Sequence, residues 1–135
     1  MKTILLTGGS SFIGKNILES YLSKKYIIYA PSHKEIDFTN EDMVHHFFNV
    51  NQDIEIILHV AFANDLEKDL RMYSNIIKYR PPETFLYNFS SGSIYDNTRA
   101  ICNVSEIDIL TSPVPKLSSA YGKYLMYELS KMFLE

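Results

Sequence analysis

Residues 3–14 read T-I-L-L-T-G-G-S-S-F-I-G. A β-branched and apolar run, a small polar stretch and the start of a helical pattern follow one another directly. A strand, a tight Gly/Ser turn and a helix N-terminus in that order make a phosphate-binding device. The turn's backbone N–H groups and the positive end of the helix dipole both point at an anion. Gly8 supplies a positive φ closed to most residues, and Gly14 lets the helix lie close to the strand. Ser10, Ser11, Phe12 and Ile13 complete the turn and open the helix. The competing reading is an ordinary strand-to-helix turn, because an isolated glycine fingerprint is a weak signal.

The elements that must position this turn follow from periodicity. Residues 12–22 carry apolar positions at helical spacing and end in Ser23-Lys24-Lys25, cations that suit the negative end of the dipole. Residues 26–30 are a second strand, apolar or aromatic throughout and expected to be buried on both faces. Residues 35–38 are a short third strand. Thr39 or Asn40 caps the next helix, which has Glu41 and Asp42 in its first turn and Met43, Val44, Phe47 and Phe48 inward. His45 and His46 are adjacent on that helix and so point about 100° apart, which suits surface positions better than a shared metal. Residues 54–60, I-E-I-I-L-H-V, form the fourth strand. Residues 65–79 form a helix with Leu66, Leu70, Tyr73, Ile76 and Ile77 on one side, ended by Pro81-Pro82. Residues 84–90 are the fifth strand and run into S-S-G-S-I-Y. Residues 96–116 read as a long loop. A last helix, capped by Ser118 or Ser119, carries Leu125, Met126, Leu129, Met132 and Phe133.

Strand runs alternating with helical runs require a parallel sheet covered on both faces. Right-handed crossovers give an α/β, doubly wound (Rossmann) sheet of order 3-2-1-4-5. Ligands on such sheets bind at the carboxyl ends of the strands. The Gly8 turn and the Ser90 turn both lie on that edge, a convergence that comes from topology alone.

Bulk properties narrow the function. The 135 residues make a single domain over 1–135 with a proper core. A formal charge of -3 gives no electrostatic case for nucleic acid or an anionic membrane. No apolar run approaches the roughly 20 residues of a membrane helix. A single cysteine, Cys102, suits a reducing cytosol, and the start of the first strand at Lys2 leaves no room for a signal peptide, so a cytoplasmic location is expected. No metal-ligating constellation is expected.

The glycine turn resembles the T-G-x-x-G-x-x-G coenzyme turn of the extended short-chain dehydrogenase/reductase family, which includes the NAD-dependent epimerases and dehydratases. Thr7, Gly8 and Gly14 match, and Ser11 stands where that family has its middle glycine. The resemblance covers nearly the whole chain but only the coenzyme half of the family's fold, without its C-terminal substrate lobe. It implies NADP or NAD as coenzyme. NAD-preferring relatives carry an acid at the end of the second strand for the ribose 2′-hydroxyl. Here Ser32, His33 and Lys34 follow instead, which leans the expectation to NADP, with solvated loop residues as the alternative. The family's adenine-contacting aspartate matches Asp37, and its H-x-A-A slot beside the nicotinamide matches His59 and Ala61, with Phe62 departing from it. His59 reads as a packed structural histidine.

The same resemblance implies a Ser/Tyr/Lys site for hydride transfer at a sugar carbonyl. Ser91, four residues before Tyr95, has the spacing of the family's S-S-x-x-V-Y turn. Ala120-Tyr121-Gly122-Lys123 looks like the start of its Y-G-x-S-K box, but Leu125 stands where the lysine belongs. Tyr121 and Lys123 point about 200° apart on a regular helix, whereas Tyr127 and Lys131 have i, i+4 spacing. Catalytic roles are assigned to Ser91, Tyr121 and Lys123. The expected function is an NAD(P)-dependent sugar-nucleotide epimerase, dehydratase or reductase, or its coenzyme-binding portion, acting on a nucleotide-sugar and compatible with a homodimer. The alternative is a non-catalytic dinucleotide-binding module. A flavodoxin-like or response-regulator domain fits less well, since those lack a glycine turn here.

Overall fold

A computed structural model describes residues 1–91, 94, 95, 103, 105, 107, 108, 114, 124 and 125. In chain order it contains β1 (Thr3–Thr7), α1 (Phe12–Glu19), α2 (Leu22–Lys25), β2 (Ile27–Tyr29), α3 (Glu41–Val50), β3 (Ile54–His59), α4 (Leu66–Tyr79) and β4 (Phe85–Asn88). The strands form one parallel sheet in the order β2-β1-β3-β4. This is the doubly wound order without its outermost strand. Right-handed crossovers place α1 on one face and α3 and α4 on the other. Tyr124 and Leu125 are helical. The rest of the expected long loop and last helix lies outside the described residues, including Ser118, Ser119, Met126, Leu129, Met132 and Phe133.

Strand pairing sets which side chains share a face. Leu5, Ile57 and Leu86 lie side by side on the α3/α4 face. There they meet Val44, Phe47 and Phe48 of α3 and Met72 and Ile76 of α4. Leu5, Val44, Phe48, Ile57 and Ile76 are fully buried. Each such side chain contributes about 1.5–3 kcal/mol of burial.

Residues 35–38 do not form a strand. Glu35 N–H and Ile36 N–H both donate to the Ser32 carbonyl, at 3.0 and 3.1 Å, and Asn40 N–H donates to the Asp37 carbonyl at 3.0 Å. Two successive turns therefore consume the groups a ladder would need. Ile36 and Phe38 alternate with polar residues because they drop into the core as two separate anchors. Without a third strand, β2 is an edge, and Ile27 and Tyr29 are exposed rather than buried on both faces. The first helix also stops short of Leu22. Ser20 Oγ donates to the Ile17 carbonyl at 2.6 Å and accepts from Leu22 N–H at 3.2 Å, which breaks the run into α1 and α2. Met43 faces outward, not inward. The helix caps of α3 and α4 are Asn40, accepting from Met43 N–H at 3.0 Å, and Asp65, accepting from Lys68 N–H at 3.0 Å. His45 and His46 are both exposed.

A polar clasp joins α3 to α4. Glu41 Oε1 accepts from Lys78 Nζ at 2.5 Å and from Tyr79 OH at 2.6 Å. The Lys78 hydrogen bond, followed by that of Tyr79, holds the Glu41 carboxyl below its ordinary value of 4.5. A depressed carboxylate pKa contributes stability above the unfolded value and loses it as pH falls through the folded one. Glu41→Gln is accordingly expected to be less stable than wild type above pH 4.5, with the gap closing below it. Thermal melts on both sides of that pH measure this. A gap that persists unchanged in acid would show that the charge plays no part. The effect is small because the pair is exposed.

Candidate functional site

The carboxyl ends of β1, β2 and β3 meet at the glycine turn. Gly8 has φ of +72°. A Cβ on Gly8 would come within 2.7 Å of Ala61 N and 2.8 Å of Ala61 Cα, so the turn rests directly on the segment leaving β3. A Cβ on Gly9 would stand 3.0 Å from Ala30 Cβ, so the segment leaving β2 lies against the same turn. A Cβ on Gly14 would overlap the Gly8 carbonyl oxygen and approach Gly9 Cα to 2.7 Å. Gly8 and Gly14 thus meet the chain's own backbone where a side chain would stand, so the close packing of the turn needs glycine at both positions.

Ser11 is the N-cap of α1. Its backbone is extended, with φ -69° and ψ 167°, a conformation open to any residue, which explains how a serine replaces a glycine here. Its Oγ accepts from Gly14 N–H at 3.0 Å, and its N–H donates to the Gly8 carbonyl at 3.0 Å. The serine hydroxyl hydrogen is left over for another acceptor. Phe12 and Ile13 open the helix, where backbone N–H groups have no intrahelical carbonyl to meet. Their side chains and that of Ser10 are exposed around the turn. These features fit a diphosphate: first-turn amides and the positive end of the α1 dipole.

Thr7 does a different job. Its hydroxyl is fully buried, 2.8 Å from His59 Nδ1, and accepts from Ala61 N–H at 3.2 Å. It locks β1 to β3 beneath the turn rather than reaching outward. His59 is buried against the Tyr73 ring, as a packed structural histidine should be.

Sequence reasoning did not single out Asp69. This carboxylate is only 2% exposed. Oδ1 accepts from Ala63 N–H at 2.7 Å and Oδ2 from Asp65 N–H at 3.2 Å. It pins the loop carrying Ala61 and Phe62, in which Asn64 takes a left-handed φ of 56°. The only sequence signal is an acid in the first turn of a helix. In Asp69→Asn one side-chain NH2 must face a backbone N–H. A stability loss of about 1–3 kcal/mol is expected, read by urea unfolding, with faster hydrogen exchange at the Ala63 and Asp65 amides. Wild-type exchange at both would refute the pinning role.

On the β2 side, Asp37 Oδ1 accepts from Thr39 N–H at 2.9 Å and from Thr39 Oγ1 at 2.7 Å. The Thr39 hydroxyl is the main cause of its lowered pKa. Asn75 of α4 donates from Nδ2 to the Phe38 carbonyl at 3.0 Å, tying this loop to the helix. Asp37, Thr39, Asn40, Asp42, Arg71 and Asn75 are among the residues lining an open polar hollow of about 530 Å³. His33 is exposed with Nδ1 3.9 Å from Asp37 Oδ1, and Lys34 is exposed. Ser91 is exposed in the segment after β4, and its carbonyl accepts from Ile94 N–H at 3.2 Å. The structure therefore gathers the Gly8 turn, Ala61 and the exit of β2 at one sheet edge, with Ser91 following β4 on that same edge. Tyr121 and Lys123, like Tyr127, Lys131 and Ser93, lie outside the described residues. Among the described residues no cluster of His, Cys, Asp and Glu could hold a metal ion.

Residues 4–133 match the model of the NAD dependent epimerase/dehydratase family. Among solved structures the chain is similar to a GDP-L-fucose synthetase from Naegleria fowleri bound to NADP, with TM-score 0.82 and 17% identity over 98% of this chain and 44% of that one. It is similar to a GDP-mannoheptose C4 reductase from Campylobacter jejuni with NADP bound, at 0.80 and 18% over 98% of this chain and 44% of that one. It also resembles a UDP-glucose 4-epimerase from Thermotoga maritima with UDP-glucose, at 0.73 and 18% over 97% and 50%. At these identities the likeness is one of fold, and the chain spans half or less of each neighbour. No curated protein matches the sequence.

Proposed function

The chain belongs to the NAD dependent epimerase/dehydratase family, and from that premise we propose that it is the coenzyme-binding portion of a sugar-nucleotide epimerase, dehydratase or reductase. The observation that carries this is the glycine turn, whose first-turn amides at the α1 N-terminus suit a diphosphate. Thr7, Gly8, Ser10, Ser11, Phe12, Ile13 and Gly14 would hold the diphosphate or support its holders. Asp37 would meet the adenine end and Ala61 would flank the nicotinamide. NADP or NAD fits this assignment, with exposed His33 and Lys34 supporting the first. The solved neighbours with NADP bound support it too. No described helix is long and apolar enough to cross a membrane. A cytoplasmic location and a homodimer belong to the same proposal.

Once bound, the nicotinamide would give or take the hydride at a sugar carbonyl carbon. The chain must then manage one proton at the carbonyl oxygen. The Ser91 hydroxyl would donate a hydrogen bond to that oxygen, and Tyr121 would deliver or remove the proton. A free phenol has a pKa of about 10, so work near neutrality needs a shift of roughly 3 units, about 4 kcal/mol. Lys123 would supply part of that by its charge. A non-catalytic dinucleotide-binding module is the second reading, favoured by Leu125 standing four residues after Tyr121 where a lysine is required. Titration of the purified chain with NADH and NADPH tests what both readings share. Saturable binding of either supports them, and absence of binding by both sinks them.

A further inference from the structure

β2 is the outermost strand of the sheet, and no described strand pairs with its far side. Ile27 N–H donates to the Lys2 carbonyl at 3.1 Å. By the alternation of a parallel ladder, Ile27 and Tyr29 turn their backbone groups toward β1, and the N–H and C=O of Ile28 between them point outward. Residues 26–30 contain no charge and no proline, the usual guards of a free edge. The side chains beside this edge are apolar as well. The Tyr29 ring stacks on Phe47 of α3, with centroids 5.8 Å apart. Met43, Phe47 and Val50 stand at i, i+4 and i+7 and so share one side of that helix. Phe47 fixes that side as the one over β2. Ile27 is 51% exposed and Val50 65%, and Tyr29 and Met43 are exposed too. An open strand edge and four exposed apolar side chains thus form one surface.

We propose that this flank is the interface of a homodimer, in which β2 pairs antiparallel with β2 of a second copy about a two-fold axis at Ile28. A second copy is the occupant because the edge is complementary to itself. An antiparallel pair with two-fold symmetry puts one residue opposite its own copy. Ile28, with both backbone groups turned outward, exchanges two hydrogen bonds with itself there. That register sets Ile27 of each copy opposite Tyr29 of the other, a β-branched residue against an aromatic one, which is a favourable cross-strand pair. It also brings the two α3 stripes to the same side of the joined sheet. Residues 26–30 are uncharged, so no like charges oppose each other across the strands. One short strand edge and four side chains per copy fall below about 1,200 Å² of total buried surface, the range of transient interfaces, so the dimer forms and dissociates with concentration. This gives the homodimer named above its surface and does not depend on whether a dinucleotide binds.

The test is sedimentation of the full chain across a concentration series, with Ile27→Lys and Val50→Asp beside wild type and melts to confirm that both fold. Wild type should approach twice the 15.6 kDa of one chain as concentration rises, with protection of the Ile28 amide from hydrogen exchange rising in step. Each variant should need roughly tenfold higher concentration to dimerise, the scale set by one lost apolar side chain. A wild type that stays monomeric throughout overturns the proposal. A dimer that both variants leave unchanged overturns it too, by seating the interface elsewhere. So does an Ile28 amide already protected in the monomer, which would give the edge to another segment of this chain.

Discussion

Gly14→Ala is expected to weaken dinucleotide binding about 100-fold and to destabilise the fold. The added Cβ would overlap the Gly8 carbonyl oxygen, lie 2.7 Å from Gly9 Cα and 2.9 Å from the Gly8 carbonyl carbon. All three are backbone atoms of the turn, so no side chain can swing aside. Either α1 backs away from β1 or the turn opens. Overpacking of this kind costs about 1–3 kcal/mol, occasionally more, and the first-turn amides leave their positions with it. A binding loss on the order of 100-fold, about 3 kcal/mol, is expected. Gly9→Ala is the control, since its Cβ would meet a side-chain methyl at 3.0 Å and needs only a small local adjustment. Calorimetry with NADH and NADPH and urea unfolding measure both variants. If Gly14→Ala matches wild type in affinity and stability, the turn is not the phosphate cradle.

If the proposed catalytic reading holds, Tyr121→Phe is expected to lower turnover on a nucleotide-sugar by about 10²–10⁴-fold, the usual contribution of a positioned acid/base. Dinucleotide affinity is then expected to stay within about twofold, because only the phenolic hydroxyl is lost and the ring remains. Tyr127→Phe, measured beside it, should keep near-full activity. The comparison matters because the spacing argues both ways. Tyr121 follows Ser91 at the expected separation, but its lysine is two residues on, a spacing that a regular helix would turn away. Tyr127 has Lys131 at i, i+4 spacing but comes six residues later in the sequence. Loss of turnover in Tyr127→Phe with activity retained in Tyr121→Phe would transfer the role. Absence of turnover in wild type, with coenzyme bound, would favour the non-catalytic module.

Much of this was legible from the chain alone where signals are local. The order of the four strands that form, a cap at Thr39 or Asn40, the positive φ at Gly8 and the buried trio Val44, Phe47 and Phe48 follow from periodicity and turn chemistry. The errors arose where two physical causes write the same pattern. Alternating Glu35-Ile36-Asp37-Phe38 reads as a strand, yet it is a pair of turns dropping two anchors into the core. The apolar run 26–30 looks doubly buried, yet an edge strand carries the same residues when no neighbour forms.

By itself the sequence determined the alternation of the four strands that form with the helices between them, and hence the sheet edge at which the Gly8 and Ser90 turns converge, because right-handed crossovers put both turns at the carboxyl ends of parallel strands. Only the tertiary structure decided what each polar group near that edge is committed to. Thr7 turns inward to His59 and Ala61, Asp69 spends both oxygens on a loop, and Glu35 returns to Ser32. Hydrogen bonds of this kind depend on which donors the folded backbone brings within about 3 Å, and separations of 3 to 54 positions along the chain carry no record of that.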